Sequence, residues 1–332
     1  MKICYTVCSL NRLGQILVLS KTFLKHNPDY KFFACLADEI DNRIDVTQYP
    51  SIEFIPFSAL PLSNKEELSN KYDIFELSCA AKAFFGNYLF DNFNPDLLIY
   101  LDTDICVYDN FASIEQALQE NPILIVPHFS IPVPADGKVP LERSALNSGL
   151  YNGGFFAVRK DAQSKSFLTW WQNRLFTQGF NNVCEGMMVD QLWLNLVPIY
   201  FSQSKVFYHP GCNVAYWNLH ERKLEFKNDK YLVDDEPLIF FHFSGYRINE
   251  PERLSLHQNR IKESDNFHLQ KIIAEYHQLL VENDFEQHLS LRTYYGAKRN
   301  KKQATGLKKA AITFLAKFGY SLEKIKKINP DS

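Results

Sequence analysis

The chain has 332 residues, 46% of them hydrophobic and 27 of them Phe, with 22% charged residues and a formal net charge of −2. That is enough apolar side chain for a sizeable core in one large or two smaller domains, and it excludes a disordered chain. No run approaches the roughly 18 apolar residues that cross a bilayer, so no membrane-spanning helix is expected.

The first segment, KICYTVCS, alternates like a strand. It lacks a long apolar run followed by a small-residue cleavage site, so no signal peptide is read. A loop, LNRLGQ, and a helix, ILVLSKTFLKHNP, come next, then strands in YKFFACLAD and SIEFIPF. Strands alternating with helical segments predict an α/β sheet, parallel in this half. Ser63 or Asn64 with Glu66 and Glu67 marks a helix start. That helix is expected to carry YDIFELSCAAKAFFGNYLFDNF and to stop before Asn94-Pro95. DLLIYLD, five apolar residues flanked by acids, predicts a strand buried on both faces.

SIEQALQEN then predicts a short helix and PILIVPH another buried strand. SIPVPADGKVPLE, with three prolines and a glycine, must be loop. GLYNGGFFAVRK is a strand with a Gly-Gly interruption. SKSFLTWWQNRLF and EGMMVDQLWLNLVP predict two helices. KVFYHPGCNVAYWNLHERKL has strand pieces and a turn at Pro210-Gly211, and PLIFFHFSGYR is a strand running into a Gly turn. Residues 256–290 are expected to be helical. There is no internal repeat and no glycine-rich nucleotide fingerprint of the P-loop or G-x-G-x-x-G type. The seven cysteines are odd in number, scattered and without a CxxC pair, which predicts buried free thiols in a reducing cytoplasm.

Charge is unevenly spread. Residues 298–332 carry ten Lys/Arg against two acids, a net of +8, so the rest of the chain carries −10. In GLKKAAITFLAKFGYSLEKIKKI, residues Leu307, Ala311, Phe314, Leu315, Phe318, Leu322 and Ile325 recur at helical spacing among lysines. Such a basic amphipathic helix suits an anionic membrane surface, and equally an acidic protein body. Nucleic acid is not expected as a partner, because the body is acidic and no recognition motif is present.

Asp102-Thr103-Asp104 ends the buried DLLIYL strand. Two carboxylates on one side of a strand end repel unless a cation or water lies between them. Ligands of open α/β sheets bind at such strand ends, and oxygen ligands suit Mg²⁺ or Mn²⁺. A solvated strand end fits the triplet as well. In Tyr151-Asn152-Gly153-Gly154 the glycines permit close approach of a ligand or backbone, or form a β-bulge. Asp190-Gln191 is an acid and an amide in an apolar segment that must find partners, as a helix cap or on polyol hydroxyls. His242 sits where an apolar strand leaves the sheet, either as a satisfied core residue or as a nitrogen ligand for Mn²⁺. The HPGCNVAYWNLHER segment gathers Asn213, Trp217, Asn218, His220 and Arg222, a mixture suited to sugar and phosphate recognition or to a structured loop.

In this order the motifs resemble GT-A fold glycosyltransferases, and most nearly the retaining family 8 group of lipopolysaccharide galactosyl- and glucosyltransferases and glycogenin. YLDTDICVYDNF matches the strand ending in D-x-D, YNGGFFAV the N-[SG]-G strand, VDQLWLNL the D-Q helix and FHFSGYR the terminal H-x-G segment. The HPGxNVAYWNLHER segment is also similar to related bacterial surface-polysaccharide glycosyltransferases. The resemblance covers residues 1–247. It implies a Rossmann-like α/β fold with a mixed central sheet flanked by helices, over residues 1–250. A helical extension over 251–296 and the basic tail over 297–332 complete the expected organisation.

The resemblance further implies a cytoplasmic enzyme that moves a sugar from a nucleotide-sugar to a glycan or lipid-linked acceptor, with peripheral contact to the inner face of the plasma membrane. Asp102, Asp104 and His242 would hold Mn²⁺ or Mg²⁺. Asp190, Gln191 and Asn152 form the implied catalytic group. Thr6, Asp38, Lys82, Asp102, Thr103, Gly153, Gly154, Asn218, His220, Gly245 and Arg247 are the implied substrate contacts. Two departures stand out. TVCSLNRLG replaces the acidic stretch usual after the first strand, and Arg247 stands near the place of a family lysine. An inverting enzyme with Asp190 as base, or a non-catalytic carbohydrate-binding protein of the same fold, are the alternatives.

Overall fold

In the computed structural model, which describes residues 1–296, strand β1 (Lys2–Cys8) is buried on both faces beyond its first residue, as a central strand must be. The chain continues through α1 (Leu13–His26), β2 (Tyr30–Leu36), β3 (Ile52–Ile55), α2 (Lys65–Lys71), α3 (Ile74–Phe93) and β4 (Leu97–Leu101). Next come β5 (Ile105–Val107), α4 (Ala112–Glu120), β6 (Ile123–Pro127), α5 (Glu142–Ser148), β7 (Tyr151–Arg159) and α6 (Ala162–Gln178). Short elements follow: β8 (Asn181–Asn182), β9 (Met187–Met188), α7 (Val197–Tyr200), β10 (Ser204–Val206), β11 (Leu224–Lys227), β12 (Lys230–Val233), β13 (Glu236–Pro237) and β14 (Phe240–His242). Helices α8 (Phe267–Glu282) and α9 (Phe285–Leu289) close the described chain.

Seven strands form one sheet in the order β10-β6-β7-β4-β1-β2-β3. The β4-β1-β2-β3 half is parallel, as expected, and β7 runs antiparallel to both β4 and β6. The result is the mixed, helix-flanked α/β sheet expected from the sequence, with α8 and α9 as a helical extension. Successive strand residues feed opposite layers. Tyr5, Tyr100 and Phe156 pack with Phe85 of α3 and Trp171 of α6, while Cys4, Ile99 and Phe155 pack with Leu19 and Phe23 of α1. Among the described residues no helix is long and apolar enough to cross a membrane. All seven cysteines are unpaired, and Cys184 alone of them is exposed rather than buried.

Several expected elements differ. The helix expected from Ser63 or Asn64 onward is two helices, α2 and α3, because Asp73 caps a new start. Its side chain accepts from Glu76 N while Glu76 accepts from Asp73 N, a reciprocal capping box. Helix α5 lies just past the proline-rich loop and had no expectation. Within 256–290, helix begins only at Phe267 and breaks at Asp284, which adopts φ 50°. Helix α8 packs beside the end of β14 by stacking Tyr276 on Phe243, with centroids 3.8 Å apart and planes 3° apart. The chain then returns to the far end of β2, where Tyr294 N donates to Asp38 and Tyr295 packs edge-on against Phe57. The basic tail lies outside the described residues.

Candidate active site

Two antiparallel ladders assemble the site from distant segments. β4 ends at Leu101, and the chain turns through Asp102-Thr103-Asp104 into β5. On one side β7 pairs with β4, and Asp102 N donates to Gly154 O at 2.9 Å. On the other side β14 pairs with β5, setting His242 opposite Ile105, and Phe243 N donates to Asp104 O at 2.8 Å. The D-x-D turn is thereby clamped between the Gly-Gly strand and the H-x-G strand.

His242 Nε2 lies 3.0 Å from Asp104 Oδ1 and 3.9 Å from Asp102 Oδ2. One donor atom from each of Asp102, Asp104 and His242 lies within 4.8 Å of the others. Two carboxylates with an imidazole are a donor set for a divalent cation such as Mn²⁺, and the three side chains converge closely enough to share one. The second carboxylate oxygen of Asp102 accepts from the Tyr100 hydroxyl and lies 3.0 Å from Lys82 Nζ, which leaves Oδ2 on the His242 side. His242 Nδ1 lies 3.4 Å from Asn213 Oδ1, so a proton on Nδ1 leaves the Nε2 lone pair toward Asp104. Burial opposes the imidazolium, but Asp104 more than offsets it, and the His242 pKa is raised. Burial likewise opposes the Asp104 carboxylate, and the His242 charge and hydrogen bond outweigh it, so the Asp104 pKa is lowered.

Lys82 reaches the site from the middle of α3 with its side chain only 6% exposed. Its Nζ lies 3.0 Å from Asp102 and 2.9 Å from Asp190, and it donates to Gly153 O at 2.9 Å. Burial works against this ammonium, yet the two carboxylates hold its pKa above the ordinary lysine value. Asp190 is fully enclosed; burial pushes its pKa up and Lys82 restrains the rise. The segment expected to be a regular helix here is β9, a left-handed Val189 at φ 38°, a 3₁₀ stretch over Gln191–Leu196, and α7. Inward bonds take precedence over helical propensity. Trp171 Nε1 donates to Asp190 O at 3.1 Å, Gln191 Oε1 accepts from Gly153 N at 2.9 Å and from Asn152 Nδ2 at 3.3 Å, and Gln191 Nε2 donates to Ser148 O at 2.9 Å. Gln191 and Asn152 thus form one hydrogen-bonded unit on β7, and Asp190 joins it only through Lys82, which donates to Gly153 O.

Above these groups opens a cleft of about 330 Å³. Ser9, Asn11, Arg12 and Gln15 line it from the loop after β1 and the start of α1; Phe75, Ser78 and Lys82 come from α3, Asp102, Thr103 and Asp104 from the D-x-D turn, and Gly245 and Tyr246 from the segment after β14. A larger hollow of about 510 Å³ lies between α1, β5, the β11–β12 hairpin and α8, and it contains none of the convergent groups. Chemistry rather than volume singles out the smaller one.

Other expected site residues are placed differently. Thr6 is wholly buried within β1 and does not line the cleft. Asp38 is also wholly buried, and its carboxylate accepts from Leu10 N, Glu39 N, Arg43 and Tyr294 N, so it braces the loop after β1 rather than facing the cleft. Asn218 donates to His128 O and Asn213 O and accepts from Ala215 N, which makes it the organiser of its own loop. His220 Nδ1 lies 3.1 Å from Trp217 O. Arg247 is exposed and does not line the cleft.

Three contributors had no expectation. Arg12 was visible as a cation in LNRLGQ, and Tyr100 gave no signal inside its apolar strand. His128 follows β6, with Nδ1 3.3 Å from Leu150 O and Nε2 3.3 Å from Asn152 Nδ2. Burial holds the His128 pKa down at about 4, so the ring is neutral and its Nε2 can accept from Asn152.

No protein-family model matches the chain. The uncharacterized protein YfnF of Bacillus subtilis (strain 168) is 28% identical over 247 residues, spanning 73% of this chain and 81% of that protein. YfnD of the same organism is 21% identical over 259 residues, spanning 76% and 80%. Among solved structures, similarity extends to the galactosyltransferase LgtC in complex with donor and acceptor sugar analogues, at 14% identity and a TM-score of 0.47 over 84% of this chain and 95% of that one. It extends also to the glycosyltransferase GlyE of Streptococcus pneumoniae TIGR4, at 15% identity and a TM-score of 0.48 over 90% and 66%.

Proposed function

We propose that this chain is a metal-dependent glycosyltransferase that transfers a sugar from a nucleotide-sugar, with UDP-sugars the first donors to test, to a glycan or lipid-linked saccharide. The observation that carries the reading is the convergence of Asp102, Asp104 and His242 beside the buried Lys82–Asp190 pair, with Asp102, Asp104 and Lys82 lining the cleft and His242 and Asp190 buried behind them. Asp102, Asp104 and His242 would hold Mn²⁺ or Mg²⁺, which when bound supplies a Lewis acid for the charge that grows on a departing diphosphate.

The remaining roles fall to the chain's own groups. Lys82 fixes the orientation of Asp102 and Asp190 and brings positive charge to the cleft. Asn152, Asp190 and Gln191 present a rigid amide and carboxylate array for donor-sugar hydroxyls, with Gly153 and Gly154 leaving room for Asp190, Gln191 and His242 to pack against the strand. Thr103 and Gly245 line the donor cavity, and Trp217, Asn218 and His220 shape the neighbouring loop. Transfer with retention fits best, because Asp190, the nearest carboxylate outside the metal cluster, is enclosed against Lys82 and poorly placed as a base for an acceptor hydroxyl. The motif resemblance supports a place in bacterial surface polysaccharide or lipopolysaccharide synthesis, on the cytoplasmic side, with residues 297–332 resting on an anionic membrane.

The test is a panel of nucleotide-sugars with Mn²⁺, read by thermal shift and by product formation. A true donor stabilises the fold by mass action, and Asp104→Ala abolishes transfer while the protein stays folded. Transfer that persists in EDTA, or a panel with neither shift nor product, overturns the reading.

A further inference from the structure

Two cations line the cleft, Lys82 and Arg12. The Lys82 ammonium is committed to Asp102, Asp190 and Gly153 O. Arg12 is exposed, and among the described residues its guanidinium has no hydrogen-bond or ion-pair partner. Its backbone, by contrast, is fixed. Arg12 N donates to Ser9 O at 3.0 Å, and the turn that carries it is tied down where Leu10 N donates to Asp38 Oδ2 at 3.2 Å. The buried Asp38 therefore holds an unpaired cation at the mouth of a cleft that also contains two carboxylates. Arg247, the cation suggested by sequence position, is exposed and is not among the cleft residues.

Building on the proposed nucleotide-sugar reading, we infer that Arg12, not Arg247, is the side chain that contacts the donor diphosphate. Charge balance supports this. Asp102, Asp104 and Asp190 outnumber Lys82 and Arg12 by one, so a bound divalent cation leaves the site with a single positive charge facing a doubly charged sugar diphosphate. Without Arg12 that surplus is gone. A guanidinium is also suited to phosphate, since its planar fork can bond two oxygens at once.

The experiment measures calorimetric binding of UDP, GDP, ADP, CDP and dTDP, each beside its nucleoside, in Mn²⁺ at fixed ionic strength. Wild type is compared with Arg12→Ala, Arg12→Lys and Arg247→Ala. For whichever base binds, Arg12→Ala is expected to weaken the diphosphate at least about tenfold while nucleoside binding holds, as loss of one charge-assisted contact implies. Arg12→Lys recovers part of the loss, and Arg247→Ala stays near wild type. Equal weakening of nucleoside and diphosphate, no change in Arg12→Ala, or a loss confined to Arg247→Ala each overturns the assignment. Wild-type protein that binds no nucleoside diphosphate at all overturns the glycosyltransferase reading itself, a different failure from that of Arg12.

Discussion

Gly154 and His242 approach so closely that a Cβ built on Gly154 would lie 2.4 Å from His242 Cε1 and 2.9 Å from Asp102 Oδ2. The space a Cβ would need at Gly154 is thus already taken by two of the three metal-ligand candidates. Gly154→Ala is expected to push these ligands apart. Such displacement should weaken Mn²⁺ about 10–100-fold, the range seen when ligand support is lost, and cost roughly 1–3 kcal/mol of stability from overpacking. Titration calorimetry and a denaturant melt measure the two effects. Wild-type Mn²⁺ affinity in Gly154→Ala would show that the site does not depend on this contact.

Metal binding should depend on pH with a definite sign. In the metal-free site Asp104 favours the protonated form of His242, raising its pKa above the usual imidazole value despite burial. A cation must displace that proton, so affinity should rise about tenfold per pH unit below the His242 pKa and level off above it. Folding linkage runs the other way in metal-free protein. The ion pair contributes its full stability below about pH 6.5, the unfolded value, and loses it as pH rises through the folded pKa. Mn²⁺ titrations and melts between pH 5.5 and 8.5 check both, and a flat affinity profile would remove the imidazole from the ligand set.

The apolar runs and their polar endings made most of the sheet legible, because a strand buried on both faces has few alternatives. DLLIYLD, PILIVPH and YNGGFFAV each became strands of the sheet. Register was not legible. That His242 faces Asp104, and that Gly154 lies against His242 and Asp102, follow from two antiparallel ladders that no local pattern encodes. Propensity misled at VDQLWLNL, where Trp171, Gly153, Asn152 and Ser148 draw the backbone out of helical geometry. Asp38 shows a further limit: an acid at a strand end looks the same in sequence whether it meets substrate or braces a loop with four donors.

The basic tail yields a prediction that needs no structure for it. If residues 297–332 rest on anionic lipid, the full chain should co-sediment with vesicles containing about a quarter phosphatidylserine, and less so as salt rises. Replacing Lys308, Lys309, Lys324 and Lys327 with Glu should abolish that binding, while soluble-acceptor transfer continues. Each lysine near an anionic surface is worth about 1 kcal/mol, so the change should span orders of magnitude. Unchanged sedimentation of the Glu variant would instead favour a tail held by protein.

The Lys82–Asp190 pair should show strong coupling, because each partner is enclosed and answers for the other's charge. Lys82→Met leaves Asp190 buried without its cation and is expected to cost about 3–5 kcal/mol. Lys82→Met with Asp190→Leu should lose less than the sum of the single losses, with a coupling of about 0.5–3 kcal/mol. The single variant also carries a pH signature. Burial already raises the Asp190 pKa, and removing Lys82 removes the restraint on it. An acid whose folded pKa is raised destabilises the protein increasingly as pH climbs from the unfolded value toward the folded one. The deficit of Lys82→Met should therefore be smaller at pH 5 than at pH 8, and the double variant, which lacks the carboxylate, should show no such growth. Urea melts of the four proteins at the two pH values measure it, and a pH-independent deficit in Lys82→Met would mean that Asp190 is not the group left stranded.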